Sequence, residues 1–176
     1  MDTPAGPTVN GRPAWLPTLV ELNDYGGNWV AYEGALYEHF HADFITQTTR
    51  FRSLPVRLKR MPLYENKEAS YWHCISTGKD ESERVPDMRR CERIRWPRPC
   101  IEHERELKVW MEDRNGDQRM HLWLESEGYV VVLALRRGYL ILWTTFFVKH
   151  QHERDKFTRR YLEARKRLMP PRGTAS

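Results

Sequence analysis

Residues 106–148 carry the pattern that most narrows what this chain can become. ELKVWME alternates apolar and polar residues, RNGD follows, and RMHLWLE alternates again. A period of two puts successive side chains on opposite faces of a strand, and Asn115-Gly116 between two such runs is a strong signal for a tight hairpin. SEG then marks a turn, YVVVLAL is apolar throughout, RRG turns the chain again, and YLILWTTFFV closes the region. The spacing predicts a four-stranded antiparallel meander. Its last two strands are apolar on both faces, so they belong at the centre of a sheet or under cover on both sides.

Upstream the period changes. Over 28–48, Val30, Tyr37, Phe40, His41 and Phe44 recur at helical spacings, with Asn28 or Asp24 as cap and Gly26-Gly27 as the turn leading in. Residues 56–60 alternate like a half-exposed strand, and SYWHCI (70–75) reads as a second one. Pro86-Asp87 opens a short helix that Pro97 stops. Residues 150–168 read as a basic amphipathic helix with Phe157, Tyr161, Leu162 and Leu168 as its apolar members. Residues 1–22 hold four of the eleven prolines and read as an extended or partly ordered leader, and 169–176 as a frayed tail. The expected architecture is α+β: one domain over 23–168, with N-terminal helices packed on a C-terminal four-stranded antiparallel meander and a closing C-terminal helix.

Composition narrows the function classes. No apolar run approaches the roughly 18 residues of a membrane span, because Arg136, Arg137 and Gly138 interrupt 129–148. The N-terminus lacks a charged segment followed by an apolar one, so no signal peptide is expected. Three cysteines, Cys74, Cys91 and Cys100, are an odd number, which favours free thiols and a reducing cytoplasm; their spacing matches no common zinc pattern, and no metal or other cofactor is expected. The 29 Lys and Arg exceed the 24 Asp and Glu, a formal net charge of +5. The excess is clustered: six arginines lie in 84–98, and eight Lys or Arg against three acids in 149–167. Guanidinium forks fit phosphate oxygens, so a polyanionic partner is favoured. Walker, GxSxG and HExxH motifs are all missing from the sequence, leaving nucleotide hydrolysis, serine hydrolysis and zinc proteolysis without support.

YWHCIS, ERVPDMRRCERIRWPRPCIE and the run ending in RRGYLILWTTFFV together resemble the phage-associated branch of the barnase–EndoU–colicin–RelE-like ribonucleases, over residues 28–150. The resemblance implies a small α+β domain and a metal-independent endoribonuclease of toxin or phage-conflict type. Its implied partners are RNA (tRNA, mRNA or ribosome-associated) and a cognate inhibitor or complex partner protein, with no membrane. The positions matching the family's site are His73, one of Arg90 and Arg93, and Thr144 or Thr145.

Cleaving RNA without a metal uses the ribose 2′-hydroxyl as nucleophile. The reaction needs a base, cations over the non-bridging oxygens and an acid for the leaving 5′-oxygen. His73 suits base or acid, Glu92 is a second candidate base, Arg90 and Arg93 are the phosphate contacts, and Thr144 is the favoured hydrogen-bond donor. Arg89, Arg95, Trp96, Lys149 and Arg159 are the expected nucleic-acid contacts, with Trp72 beside Trp96 as a stacking candidate. The competing expectation is a non-catalytic module, binding nucleic acid or protein, in a phage or mobile-element defence system.

Overall fold

The computed structural model describes residues 6–168. In chain order these form β1 (Thr8–Val9), β2 (Arg12–Pro13), α1 (Trp29–His41), β3 (Arg50–Phe51), β4 (Leu54–Leu58), α2 (Ala69–Ile75), β5 (Ser76–Thr77) and β6 (Val85–Pro86). Then follow α3 (Met88–Cys91), α4 (Pro97–Glu102), β7 (Lys108–Arg114), β8 (Asp117–Leu124), β9 (Tyr129–Arg136), β10 (Tyr139–Phe147) and α5 (Gln151–Leu168). The α+β class holds. The sheet, however, is mixed and six-stranded, in the order β3-β4-β10-β9-β8-β7, where a four-stranded antiparallel one was expected. The difference lies at β10. It pairs antiparallel with β9 on one side and parallel with β4 on the other, Leu140 opposite Val56 and Leu142 opposite Leu58. A strand apolar on both faces needs neighbours at both edges, and β4 supplies the second for the first half of β10.

Both faces of the sheet are covered. Tyr129, Val131 and Leu133 of β9 join Leu36, Phe40, Tyr71, Ile75, Trp96 and Ile101 in the large core under α1, α2 and α4. Val130 and Val132, on the other face, join Trp110, Trp123, Val148 and Phe157 in a smaller core under α5. At the Asn115-Gly116 turn both residues have positive φ, 55° and 83°, as a type I′ hairpin requires.

Several local expectations are corrected. Residues 70–75 form a helix, not a strand. Tyr71, Cys74 and Ile75 fall at i, i+3, i+4 and all reach the core, a pattern that a six-residue apolar run cannot distinguish from a buried strand. On α1 the buried stripe is Tyr32, Leu36 and Phe40, continued by Phe44 in a π turn, while Val30 is 80% exposed and His41 faces solvent. Asn28 is the cap, accepting from the Ala31 amide, and Asp24 sits in the preceding 3₁₀ turn. Asp87 caps α3 through the amides of Arg89 and Arg90. Pro97 opens α4 at its first turn, where its missing N–H costs nothing.

Residues 6–22 double back in the β1–β2 hairpin and are tied down. Trp15 stacks on His103 at 4.5 Å and donates to Glu106, and the Val20 amide donates to the Glu92 carbonyl. Residues 1–5 of the leader and the tail expected at 169–176 lie outside the described residues. Among the described residues no helix is long and apolar enough to cross a membrane.

Candidate functional site

α2 lies along the stretch of β10 that β4 leaves uncovered. Ser70 donates to the Leu142 carbonyl, Thr144 to that of His73 and Thr145 to that of Cys74. This edge seal uses up most of the polar groups expected to carry chemistry. Arg90 reaches in from α3 and donates to the carbonyls of His73 and Ser76 and to Thr144 Oγ1 at 2.9–3.3 Å. Its guanidinium satisfies the carboxyl end of α2, whose last carbonyls have no helical partner. Arg90, Thr144 and His73 do come together, but on the main chain of residue 73 and not on its ring.

The His73 ring is buried. Nδ1 lies 3.2 Å from the Trp143 carbonyl and Nε2 lies 2.7 Å from Glu81, which Lys59 also contacts at 3.3 Å. Burial holds the imidazole below its ordinary pKa despite the Glu81 bond. With both nitrogens facing acceptors, neither is open to a ribose hydroxyl.

The remaining expected residues disperse. Arg93 lies over Trp96 and Phe147 and donates to Glu92 and the Arg89 carbonyl, so Glu92 is an ion-pair partner and not an open base. Trp96 is fully buried and donates to the Pro17 carbonyl; it plugs the core and offers no face to a base. Trp72 donates to the Tyr64 carbonyl and lies half-buried. Arg89, Lys149 and Arg159 are exposed and Arg95 is half-buried. The three cysteines are free and buried, and burial pushes the Cys74 and Cys91 thiols up to about 12.

A different cluster forms on the α5-facing side of the sheet. Cross-strand register puts Trp110 opposite His121 and Glu112 opposite Arg119, all four on one face. The His121 ring stacks on Trp110 with centroids 5.0 Å apart and 12° between planes. Its Nε2 is 3.9 Å from Glu112. Glu112 accepts from Trp110 Nε1 at 2.8 Å and from Arg160 of α5, with Arg114 at 3.7 Å. Burial works to raise the Glu112 carboxyl, but the bonds from Trp110 and Arg160 outweigh it and hold the pKa below the usual value. Arg119 pairs with Asp117 and lays its guanidinium carbon 3.4 Å from the centre of the Trp143 ring.

Of this cluster, Arg114, Arg119, His121, Trp143 and Arg160 line a cavity of about 150 Å³ together with Val132, Thr144, Phe146 and Phe157. Arg119 and His121 are 9% and 2% exposed, yet Arg119 Nη1 and His121 Nδ1 have no hydrogen-bond partner. A buried polar atom without a partner costs roughly 1–3 kcal/mol, so two beside one cavity mark a place where something polar belongs. Burial pushes the His121 pKa down to about 4, so the ring is neutral at pH 7 and can accept a proton. Cationic donors and one neutral imidazole around a space of this size suit an oxyanion such as a phosphate group.

The sequence does carry a trace of this site. In RMHLWLE, Arg119 and His121 occupy the same alternate positions as the buried Trp123, which sets an arginine and a histidine on an inward-facing row. Comparison with family models, curated proteins and solved structures gives no match for this chain. Among the described residues, no three His, Cys, Asp or Glu side chains are grouped so as to hold a metal ion.

Proposed function

We propose that this protein is an endoribonuclease that cleaves RNA by 2′-hydroxyl attack, and that its chemistry belongs to the cavity between Arg119, His121 and Arg160, not to the edge of α2. The observation that carries this reading is the pair of buried, unpartnered nitrogens, Arg119 Nη1 and His121 Nδ1, at one polar cavity. A phosphodiester seated there meets Arg119 and Arg160 across its non-bridging oxygens.

Neutral His121 takes the proton from the 2′-hydroxyl as O2′ bonds to phosphorus. The P–O5′ bond breaks, and the imidazolium returns the proton to the leaving oxygen. The products are a 2′,3′-cyclic phosphate and a 5′-hydroxyl, and the ring ends as it began. Glu112, 3.9 Å from Nε2, favours the transient imidazolium. The reading keeps the toxin or phage-conflict role that the family resemblance implies.

The test is incubation of the purified protein with total RNA in EDTA, followed by analysis of the new ends. Cleavage leaving cyclic phosphates, lost in His121→Ala and in Arg119→Ala but retained in His73→Ala, is the expected result. Loss in His73→Ala with retention in His121→Ala moves the chemistry back to α2; no cleavage at all rejects the enzyme.

The burial of His121, with only 2% of the residue exposed, favours a second reading: a module that holds a phosphate and does not turn over. Salt-sensitive RNA binding, weakened by Arg119→Ala and leaving no new ends, distinguishes it.

A further inference from the structure

Charge is unevenly divided along this chain. Residues 61–87 hold six carboxylates and three Lys or Arg, a net −3 that leaves +8 on the remainder. The same segment carries much of the exposed apolar surface: Met61, Leu63, Tyr64 and Val85 are 51–66% exposed. Between the start of α1, α2 and the 62–65 loop lies a groove of about 430 Å³ lined by Leu63, Tyr64 and Trp72 with Glu33, Glu65 and Glu81, and by Arg84, whose guanidinium is held by the carbonyls of Ser76 and Gly78. A contiguous apolar surface rimmed by charge is the mark of an interaction site, since isolated apolar side chains scatter over ordinary surfaces.

The groove is held in shape before any partner arrives. Tyr64 and Lys67 exchange two main-chain hydrogen bonds across a turn in which Glu65 and Asn66 both have positive φ. Trp72 donates to the Tyr64 carbonyl at 3.0 Å and meets the Tyr64 ring edge-on at 5.2 Å. Glu33 is spent on Tyr71 and Lys67, at 2.6 and 2.7 Å. Glu65, 57% exposed with Lys67 no nearer than 3.9 Å, can meet an incoming cation, and Glu81, 40% exposed, binds His73 and Lys59 through Oε1 and leaves Oε2 for one. A ready-made surface saves a partner the cost of ordering it.

We propose that this groove docks a partner protein through an extended segment carrying an apolar anchor flanked by Lys or Arg. The anchor sits against Leu63, Tyr64 and Trp72, and the flanking cations face Glu65 and Glu81. Nucleic acid is disfavoured here because its phosphates would face the same carboxylates. The site is separate from the Arg119–His121 cavity and stands whether or not that cavity cleaves RNA.

The test is selection of a displayed random dodecapeptide library on the full chain, with Leu63→Asp and Tyr64→Ala as paired variants. Both positions are exposed, so an unchanged thermal midpoint establishes that the variants fold. Expected are peptides with an apolar anchor flanked by Lys or Arg. Their affinity should fall about tenfold in each variant, through the loss of one buried anchor contact, and should weaken with added salt. Peptides that bind wild type and both variants alike overturn the proposal, as does enrichment of acidic sequences. So does displacement of the peptides by an RNA oligonucleotide. Concentration-dependent dimers in sedimentation, dissolved by Leu63→Asp, would instead assign the groove to a second copy of the chain.

Discussion

His121 illustrates how one residue can be visible in a sequence and its surroundings not. The alternation of RMHLWLE places it inward, but nothing local says what it meets. Trp110 and Glu112 arrive through strand register, and Arg160 from a helix some forty residues later. His73 was expected in the site because it matches a position of the family the sequence resembles; it stands between Trp72 and Cys74 and is buried.

The pH behaviour separates the two histidines. His121 has its folded pKa lowered to about 4 by burial, against roughly 6.5 when unfolded. The fold therefore prefers the neutral ring. Its contribution is fully present above about pH 6.5 and is lost as pH falls toward 4, on the order of 3 kcal/mol in all. His73 is shifted in the same direction. Urea midpoints measured between pH 4 and 7 should slope with pH in wild type, and the slope should flatten in His121→Gln but only partly in His73→Gln.

Trp96 offers a second contrast at this scale. As a core plug its truncation to Ala should cost roughly 3–5 kcal/mol in a urea titration. Arg89→Ala, at an exposed position, should stay within about 0.5 kcal/mol.

Among the elements, the turns were the most legible and the short apolar runs the least. Asn115-Gly116 announced its hairpin because type I′ geometry admits few residue pairs. SYWHCI did not announce a helix: six residues give too little length for a period of 3.6 to separate from one of two. β4 was visible as a strand, but its parallel pairing with β10 was not, since nothing in a strand's own residues names a neighbour more than eighty positions away.

The turn glycines lead to a graded prediction. Gly116 (φ 83°) has open space where a Cβ would stand, so Gly116→Ala meets only the left-handed backbone penalty of about 1 kcal/mol. Gly128 (φ 63°) shares that conformation, and a Cβ there would lie 2.8 Å from the Val148 carbonyl oxygen and would also strike the Arg154 guanidinium. Thermal unfolding should therefore show Gly128→Ala as the more damaging of the two, and Thr158→Ala, one turn along α5 from Arg154, as nearly silent.

Over the whole molecule, the class of fold followed from where each period began and ended, and the division of charge was countable in the sequence. The locations of the cavity and the groove were not, because each is assembled from segments far apart in the chain. The parallel contact of Leu54–Leu58 with Leu140–Leu142 has a consequence for how the protein comes into being. During synthesis α1, α2 and α4 emerge with their apolar sides bare, before the strand on which they settle, Tyr139–Phe147, has been translated. The helices made before it must therefore wait, open to chaperones and to unwanted neighbours, until that strand leaves the ribosome.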